Sequence, residues 1–262
     1  MTGTKSGPLL EICGISKSFG GLRALEDINI GIEPEAIHGI IGPNGAGKTT
    51  LFNVITGFIT PDSGFIRIGG ESYQGLKPHM LVPLGIARTF QNIRIFSDMT
   101  VLENVLIGQH VHTPTLPLSI LLNGRRARSA EKKALEKARE AMAFAGISDA
   151  ADERVRNLSY GRQRLVELAR AVAAEPEVIL LDEPAAGMNP TEKGRLLELV
   201  ASLRGRGCTT VLIDHDMKLV MNLCTKITVL DHGRKIAEGE PGEIRNHPEV
   251  IRAYLGKGGG HA

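Results

Sequence analysis

One stretch of sequence decides the fold of this chain: Gly42-Pro43-Asn44-Gly45-Ala46-Gly47-Lys48-Thr49-Thr50. It fits G-x-x-x-x-G-K-[ST], the Walker A pattern, in which each residue type suits a triphosphate. The glycines let the backbone form a nest whose N–H groups point at anionic oxygens. Lys48 can reach the β- and γ-phosphates, and the Thr49 hydroxyl can ligate Mg²⁺. The stretch therefore predicts a loop that binds a nucleoside triphosphate.

The residues on either side predict the strand and the helix that such a loop needs. Residues 36–41 are typical of a short buried strand, and residues 48–55 are typical of a helix that Gly57 ends. A helix N-terminus adds partial positive charge where the phosphates would lie. A glycine-rich turn that fits the pattern by chance would not need this strand and helix.

Composition narrows the class of protein. The chain has 262 residues, of which 42% are apolar, so it can bury a sizeable core. A net charge of +2 argues against nucleic acid as a partner. Cys13, Cys208 and Cys224 are widely spaced, which favours reduced thiols over a disulfide framework or a zinc site. We see no signal peptide and no apolar run long enough to span a membrane.

The order of patterns predicts an α/β fold. Residues 9–12, 28–32 and 65–68 are typical of strands in a small antiparallel β layer that leads into the phosphate-loop core. Residues 131–145 form an amphipathic helix with a charged face, which we interpret as solvated. From residue 177 the pattern returns to buried strands and helices, at 178–181, 192–203 and 209–213. A hairpin follows around Asp231-His232-Gly233.

Two adjacent carboxylates end the predicted strand at 178–181. A carboxylate at the C-terminal end of a parallel strand faces the nucleotide crevice, where Asp182 would hold Mg²⁺. Glu183, one residue further, can face an attacking water and act as a general base. The alternative is that both carboxylates cap a helix entered through Pro184. Beside a phosphate loop, the catalytic interpretation is favoured.

A second glycine-containing stretch, Leu158-Ser159-Tyr160-Gly161-Arg162-Gln163, precedes an apolar helix. Ser159 is typical of an N-cap residue, with Gly161 near the start of the helix. Helix capping alone would explain this serine.

The order of these motifs resembles the nucleotide-binding subunit of ATP-binding-cassette transporters. The resemblance covers about residues 9–255, and it gives a role to residues that carry no signal alone. Phe19 is similar to the aromatic that stacks on adenine, and Gln91 to the glutamine that touches Mg²⁺ or the attacking water. Ser159 and Gly161 match the signature sequence L-S-G-G-Q, and His215 matches the histidine that senses the γ-phosphate.

The resemblance implies a single domain at 9–255, a helical subdomain inserted at about 97–172, and a flexible tail at 256–262. It also implies that ATP is held between the phosphate loop of one subunit and the Ser159 signature of a second, in a homodimer or heterodimer. Tyr160 and Arg162 depart from the signature, and Met188 and Asn189 depart from the usual Leu-Asp ending of the D-loop.

Three segments are similar to the ATP-binding subunit of branched-chain amino-acid importers: residues 184–192, 214–221 and 244–256. This resemblance implies a peripheral subunit at the cytoplasmic face of the inner membrane. Its partners would be permease subunits and, indirectly, a periplasmic solute-binding protein. Subunits of this type also serve urea and other amide substrates, so the transported solute stays open.

Two other classes of function stay open. A non-transport cassette protein of DNA repair or translation usually carries long coiled coils or two fused cassettes, and neither is found here. A soluble phosphotransferase would need an acceptor-binding lid, but it would need neither the Ser159 signature nor His215.

A last expectation concerns contact with the permease. Ile93, Ile95 and Phe96 follow Gln91, and apolar side chains grouped on an exposed loop mark an interface. The alternative is that they anchor the helical subdomain. The apolar-then-basic segment between Gly108 and Arg128 is either a surface loop with a short helix or a further contact with a partner or a membrane.

Overall fold

The computed structural model describes residues 7–73, 75–112 and 124–255. The predicted tail at 256–262 and the apolar part of the 108–128 segment, residues 116–122, lie outside these ranges. The described strands, in chain order, are β1 (Leu10–Phe19), β2 (Leu22–Ile32), β3 (Ile37–Ile41), β4 (Ser63–Ile68), β5 (Glu71–Tyr73), β6 (Ile86–Arg88), β7 (Val178–Asp182), β8 (Thr209–Ile213), β9 (Lys226–Asp231) and β10 (Arg234–Gly239).

The described helices alternate with these strands. They are α1 (Lys48–Ile55), α2 (Pro78–Leu81), α3 (Val101–Ile107), α4 (Gly124–Ala145), α5 (Tyr160–Ala173), α6 (Pro190–Leu203), α7 (Met217–Leu223), α8 (Pro241–Asn246) and α9 (Pro248–Leu255). Between β6 and β7 the described chain has helices and no sheet strand, and α3, α4 and α5 pack on one another there. No helix in the described ranges has the length and apolarity to cross a membrane.

The strands form two sheets, as the α/β expectation with an antiparallel layer requires. A four-stranded sheet has the order β2-β1-β4-β5, with antiparallel neighbours. A six-stranded sheet has the order β10-β9-β3-β8-β7-β6, in which only β10 runs antiparallel. The first strands are longer than predicted, because polar residues alternate with buried ones in β1 and β2.

The six-stranded sheet is buried on both faces, and its strands alternate between two cores. In β7, Ile179 and Leu181 pack against the helical side, whereas Val178 and Leu180 pack against α1 and the antiparallel sheet. Successive side chains of a strand point to opposite faces, so one apolar run fills both cores. This explains why β7 and β8 could be recognised from unbroken apolar sequence.

Helix boundaries differ from the predictions where a local signal is weak. The helix expected at 131–145 begins at Gly124, and the helix expected at 192–203 begins at Pro190 behind an Asn189 cap. The short elements α2, β5, β6, α3, α7, α8 and α9 were not predicted. They are too short to show a period, so tertiary packing decides them.

Parallel strands bring their C-terminal ends to one edge of the sheet. The phosphate loop follows β3, Glu183 follows β7, and the segment carrying His215 follows β8. In open α/β sheets, ligands bind in the crevice outside these strand ends. The fold therefore brings together three motifs that are up to 173 residues apart in sequence.

A buried histidine lies within the central strand. The His38 ring is fully buried, and its Nε2 lies 2.8 Å from the Thr228 hydroxyl on β9. Burial lowers the pKa of His38 to about 4, although the nearby Glu238 carboxylate opposes this shift. In the unfolded chain the imidazole takes up a proton near its ordinary pKa of 6.5. The neutral ring therefore stabilises the fold fully above that pH, and this stability is lost as pH falls towards 4.

We expect His38→Gln to flatten the pH dependence of unfolding between pH 7 and 5. The wild-type chain should lose about 2 kcal/mol over this interval from His38 alone, because the unfolded state binds the extra proton. Glutamine can keep a hydrogen bond to Thr228 without titrating. Urea unfolding at several pH values measures the slope. Equal slopes in both proteins would contradict a buried neutral His38, and His79→Gln, on the short helix α2, is the control.

Candidate functional site

The phosphate loop has a backbone that favours glycine at three points. Gly42, Gly45 and Gly47 have φ of 153°, 82° and 101°. A Cβ at Gly47 would lie 2.6 Å from the Ala24 carbonyl oxygen, and one at Gly42 would lie 2.1 Å from that of Leu230. The loop therefore fits closely against its neighbours.

Lys48, the first residue of α1, turns back over this loop. Its side-chain Nζ donates to the carbonyl oxygens of Gly42 and Pro43, at 2.7 and 3.0 Å. The lysine is almost fully buried. The carbonyls hold the ammonium group at the loop, where anionic phosphates would meet it.

The loop forms one wall of an open cleft of about 520 Å³, a volume within the usual range of small-molecule sites. The cleft gathers most of the predicted nucleotide-contacting residues. Its lining is Phe19, Leu22, Arg23, Ala24, Asn44, Gly45, Ala46, Gly47, Lys48, Thr49, Thr50, Gln91, Glu183, Ile213, His215 and His232. Leu22, Arg23 and His232 were not predicted, and they carry no motif that would have identified them.

Phe19 lies at the mouth of the cleft and is 47% exposed, so it is not a core aromatic. The Lys17 ammonium lies 5.6 Å from the centre of its ring, and the neighbouring Leu22 is more exposed still. An exposed ring beside a phosphate loop can stack on a nucleotide base. This arrangement supports the adenine-stacking role, which stays a prediction.

Glu183 is the centre of a three-residue contact in the cleft. Its Oε2 accepts a hydrogen bond from the Gln91 Nε2 at 3.0 Å, and its Oε1 lies 2.5 Å from the His215 Nε2. Its φ of 47° is uncommon for a residue other than glycine. Three predicted site residues, from three separate motifs, thus meet at one carboxylate.

The loop that carries His215 is itself organised by acidic residues. Burial raises the pKa of Asp214, whose Oδ1 accepts a hydrogen bond from the Asp216 N–H at 2.9 Å. Asp216 caps α7, and its side-chain pairing with Lys193 lowers its pKa. These contacts fix the backbone on both sides of His215.

Asp182 occupies the end of β7 and is only 5% exposed. Its Oδ2 accepts a hydrogen bond from the Arg88 Nη2 at 2.9 Å. Thr49 is the second residue of α1, and it lines the cleft with its hydroxyl-bearing side chain. Carboxylate and hydroxyl oxygens suit Mg²⁺, which keeps several waters and binds through substrate phosphates as well as a few protein ligands. The residues present therefore fit this ion.

The described residues contain no group of three or more His, Cys, Asp or Glu side chains that could hold a metal. The predicted set of Thr49, Gln91 and Asp182 includes only one residue of these types, so this finding does not test it. Gln91 contacts Glu183 and lines the cleft in this structure. Its role as a metal ligand stays a prediction.

Ser159 and Gly161 do not line the cleft of their own chain. Ser159 caps α5, with its hydroxyl oxygen accepting from the Arg162 N–H at 3.4 Å. Tyr160, the first residue of the helix, packs its ring against Gly187, where a Cβ would lie 3.0 Å from it. The tyrosine replaces a glycine of the signature without a positive φ.

The other departures from the family pattern also have structural explanations. Arg162 donates two hydrogen bonds to Asp149, both at 2.7 Å. Asn189 caps α6 by accepting from the N–H groups of Thr191 and Glu192, each at 3.0 Å. Asn and Asp are about equally good caps, so this replacement leaves the helix start intact.

A buried ion pair that sequence reasoning missed holds the Gln91 segment to α5. Arg164 and Glu167 pair at 3.0 Å, with both side chains nearly inaccessible. Arg164 donates to the carbonyl oxygens of Phe90, at 2.6 Å, and Gln91, and also to the Tyr160 hydroxyl. Glu167 accepts from the Phe90 N–H. The signal was present as charges on an otherwise apolar helix face.

Comparison with known proteins gives a consistent result. A sequence model described as "ABC transporter" matches residues 25–186, and one described as "Branched-chain amino acid ATP-binding cassette transporter" matches residues 234–259. The chain is 44% identical over 253 residues to the high-affinity branched-chain amino acid transport ATP-binding protein BraF of Pseudomonas aeruginosa. That match covers 96% of this chain and 99% of BraF.

Two further relatives extend this similarity. LivG of Escherichia coli, with the same description, is 45% identical over 96% of this chain and 99% of its own length. A probable LivG of the archaeon Archaeoglobus fulgidus is 36% identical over 95% of both chains.

Solved structures show the same architecture. A nucleotide-free ATP-binding cassette from an ABC transporter has a TM-score of 0.80 and 35% identity, covering 94% of this chain and 98% of that one. The ADP conformation of an ATP-binding cassette of an ABC transporter gives 0.82 and 35%, covering 95% and 98%.

We expect Lys48→Ala to weaken ATP binding strongly. The variant loses the loop's ammonium group, and hydrogen bonds to charged groups contribute about 1.5–3 kcal/mol each. Equilibrium titration with a fluorescent ATP analogue measures the affinity. Lys137→Ala, on the distant helix α4, is the matched control and should bind as the wild type does. Unchanged affinity in Lys48→Ala would contradict the role of the loop.

Proposed function

Because the chain belongs to the ATP-binding-cassette transporter family and is an ATPase, we propose that it powers import of branched-chain amino acids through permease subunits. One observation carries this proposal. Similarity to the branched-chain amino-acid proteins runs along 96% of the chain, and it includes a family-specific match at residues 234–259. Conserved chemistry of the ATP site alone would not single out this group of transporters.

The cleft supports a specific division of work among its residues. Lys48, Thr49 and the amides of the phosphate loop would bind the phosphates of ATP, with Phe19 against the base. Thr49 and Asp182 would hold Mg²⁺, which neutralises phosphate charge when it is bound. Glu183 would accept the proton of the attacking water, while Gln91 and His215 hold its two carboxylate oxygens.

We propose that two ATP-binding subunits complete each site together. Neither Ser159 nor Gly161 lines the cleft of its own chain, and Ser159 is exposed, which would leave it available to the nucleotide of a second chain, whereas Gly161 is buried beside it. The second subunit is either another copy of this chain or a paralogue. Residues 9–255 would act as one domain in which the helical region, about 97–172, moves as a unit.

The Gln91 segment offers the contact with the permease. Phe96 is 52% exposed, whereas Ile95 packs against the helical core. The buried Asn104 side chain accepts from the Phe96 N–H at 2.9 Å and donates to its carbonyl at 3.0 Å. Asn104 thereby presents the ring to solvent in a fixed position. Of the two alternatives for this segment, anchoring suits Ile95 and docking suits Phe96.

We propose that the subunit acts at the cytoplasmic face of the inner membrane, where it would contact permeases. A periplasmic solute-binding protein would deliver the amino acid to them. Two alternatives have different outcomes in the same test: import of urea or another amide, and a non-transport role in DNA repair or translation.

Uptake of labelled solutes tests the proposal. A strain lacking this gene should lose uptake of leucine, isoleucine and valine. The wild-type gene should restore the uptake, and a Lys48→Ala copy should not. Loss of urea uptake alone would support the amide alternative. Normal uptake of all these solutes would contradict import of branched-chain amino acids and of urea.

We expect Glu183→Gln to bind ATP normally and to hydrolyse it at least about 10²-fold more slowly. The amide keeps the size of the side chain but cannot accept a proton from water. Phosphate release measures turnover, and sizing chromatography with ATP and Mg²⁺ should show a trapped dimer. Glu198→Gln, on the exposed face of α6, should match the wild type. Near-normal turnover in Glu183→Gln would show that another group is the base.

We expect Phe96→Ser to reduce transport while leaving ATP hydrolysis by the isolated subunit unchanged. The ring is exposed, so its loss removes a contact surface and little core packing. Ile251→Ser, an exposed apolar residue of α9, is the matched control. Transport by the assembled system and melting temperature are measured together. A parallel fall in hydrolysis and melting temperature would assign Phe96 to the core.

A further inference from the structure

Arg88 is a buried cation that lies beside the proposed Mg²⁺ ligand. It ends β6, and its register partner on the parallel strand β7 is Leu180. Asp182 lies two residues beyond Leu180, so all three side chains belong to the same face of the sheet. That face carries α1. Strand geometry therefore places the guanidinium group and the carboxylate together at the C-terminal edge of the sheet.

The contact between them is direct and nearly inaccessible to water. Arg88 Nη2 donates to Asp182 Oδ2 at 2.9 Å, and each side chain is 7% exposed. Oδ1 of Asp182 makes no side-chain hydrogen bond within the ranges that the structure describes. One carboxylate oxygen is thus held by the protein, and the other can serve a ligand.

Arg88 is also attached to the helix that begins with the phosphate loop. Its Nη1 donates to the side-chain oxygens of Asn53 and Thr56, both at 2.8 Å. These residues lie at the C-terminal end of α1, whereas Thr49 lies at its N-terminal end. A helix of eight residues spans about 12 Å between these two ends. Arg88 therefore joins the strand that carries Asp182 to the helix that carries Thr49.

Three aromatic rings enclose the guanidinium group on its remaining sides. The Cζ of Arg88 lies 5.6 Å from the ring centre of Phe52, 5.8 Å from Phe58 and 4.9 Å from Phe90. Its Nε is buried and has no hydrogen-bond partner among the described residues, which leaves it facing this apolar cage. Such a cage fixes the planar group in one orientation.

We propose that Arg88 is a positioning residue that orients the Asp182 carboxylate relative to Thr49. In this orientation, the other carboxylate oxygen of Asp182 and the Thr49 hydroxyl could both serve as ligands of Mg²⁺. The inference rests on the proposed roles of Asp182 and Thr49. Without the guanidinium group, the buried carboxylate would lose its partner and its fixed direction. The Mg²⁺-dependent part of nucleotide affinity would then fall, while contacts of the phosphate loop stay intact.

The test compares binding of a non-hydrolysable ATP analogue with Mg²⁺ and with EDTA. We expect Arg88→Met to reduce the affinity gained from Mg²⁺ by about tenfold or more, and to leave affinity in EDTA within about twofold of wild type. Arg88→Lys keeps the charge but cannot reach all three partners at once, so it should recover part of the gain. Melting temperature is recorded for each variant.

Two further variants make the result independent of the stability of Arg88→Met. Phe58→Leu removes one wall of the cage and should reduce the Mg²⁺-dependent gain about two- to threefold. Phe58 does not line the cleft, so this reduction would act through Arg88. Arg67→Met is the matched control. Its guanidinium also covers a ring, at 4.7 Å from Phe65, and pairs with Glu11, but it belongs to the antiparallel sheet.

The outcomes separate this inference from the proposed function. If Asp182→Asn leaves the Mg²⁺-dependent gain unchanged, the metal assignment itself is wrong. If Asp182→Asn abolishes the gain but Arg88→Met and Phe58→Leu do not reduce it, only the positioning role of Arg88 is overturned. Tighter Mg²⁺-dependent binding by Arg88→Met would show that the charge of Arg88 competes with Mg²⁺. An equal loss of nucleotide affinity in EDTA would show that Arg88 supports the structure in general and not the metal site. Each of these results overturns the proposal.

Discussion

Burial of the six-stranded sheet on both faces is the constraint on which the rest of the structure depends. Because β3, β7 and β8 are fully buried, their backbone ladders and their register are fixed by two cores at once. The C-terminal ends of these strands therefore lie side by side in fixed relative positions. The phosphate loop, Glu183 and His215 are attached directly to these ends. A rigid sheet thus supplies the precision that loops alone would lack.

Polar contacts with the protein hold several of the chemistry-bearing side chains and the segments that carry them. Arg164 and Glu167 hold the backbone around Gln91, Asp216 caps the helix after His215, and Lys48 is tied to loop carbonyls. The Arg164–Glu167 pair and Lys48 are largely buried, where an unpaired polar group would be costly, whereas Asp216 is partly exposed. These contacts set the positions of Lys48 and of the Gln91 segment through the protein's own groups.

Sequence alone could predict the sheet core and most of the cleft, because those features depend on local patterns. The Walker A stretch, the apolar strand before Asp182 and the helix cap at Ser159 are each read within a few residues. Leu22, His232 and Arg164 were not predicted, because their roles depend on partners more than 60 positions away in the sequence or on the packing of a loop. Arg88 escaped for the same reason. A single arginine at a short strand end carries no periodic signal.

The cap of α6 has a consequence for which sequences this fold can accept. Glu192 closes the cap by accepting from the Asn189 N–H, and the same carboxylate lies where a Cβ at position 161 would be, 2.3 Å from it. Two motifs far apart in sequence therefore share one small volume. A side chain at position 161 would push the flexible end of Glu192 aside and so open the cap of α6. The glycine of the signature therefore protects the start of a helix that lies elsewhere in the sequence.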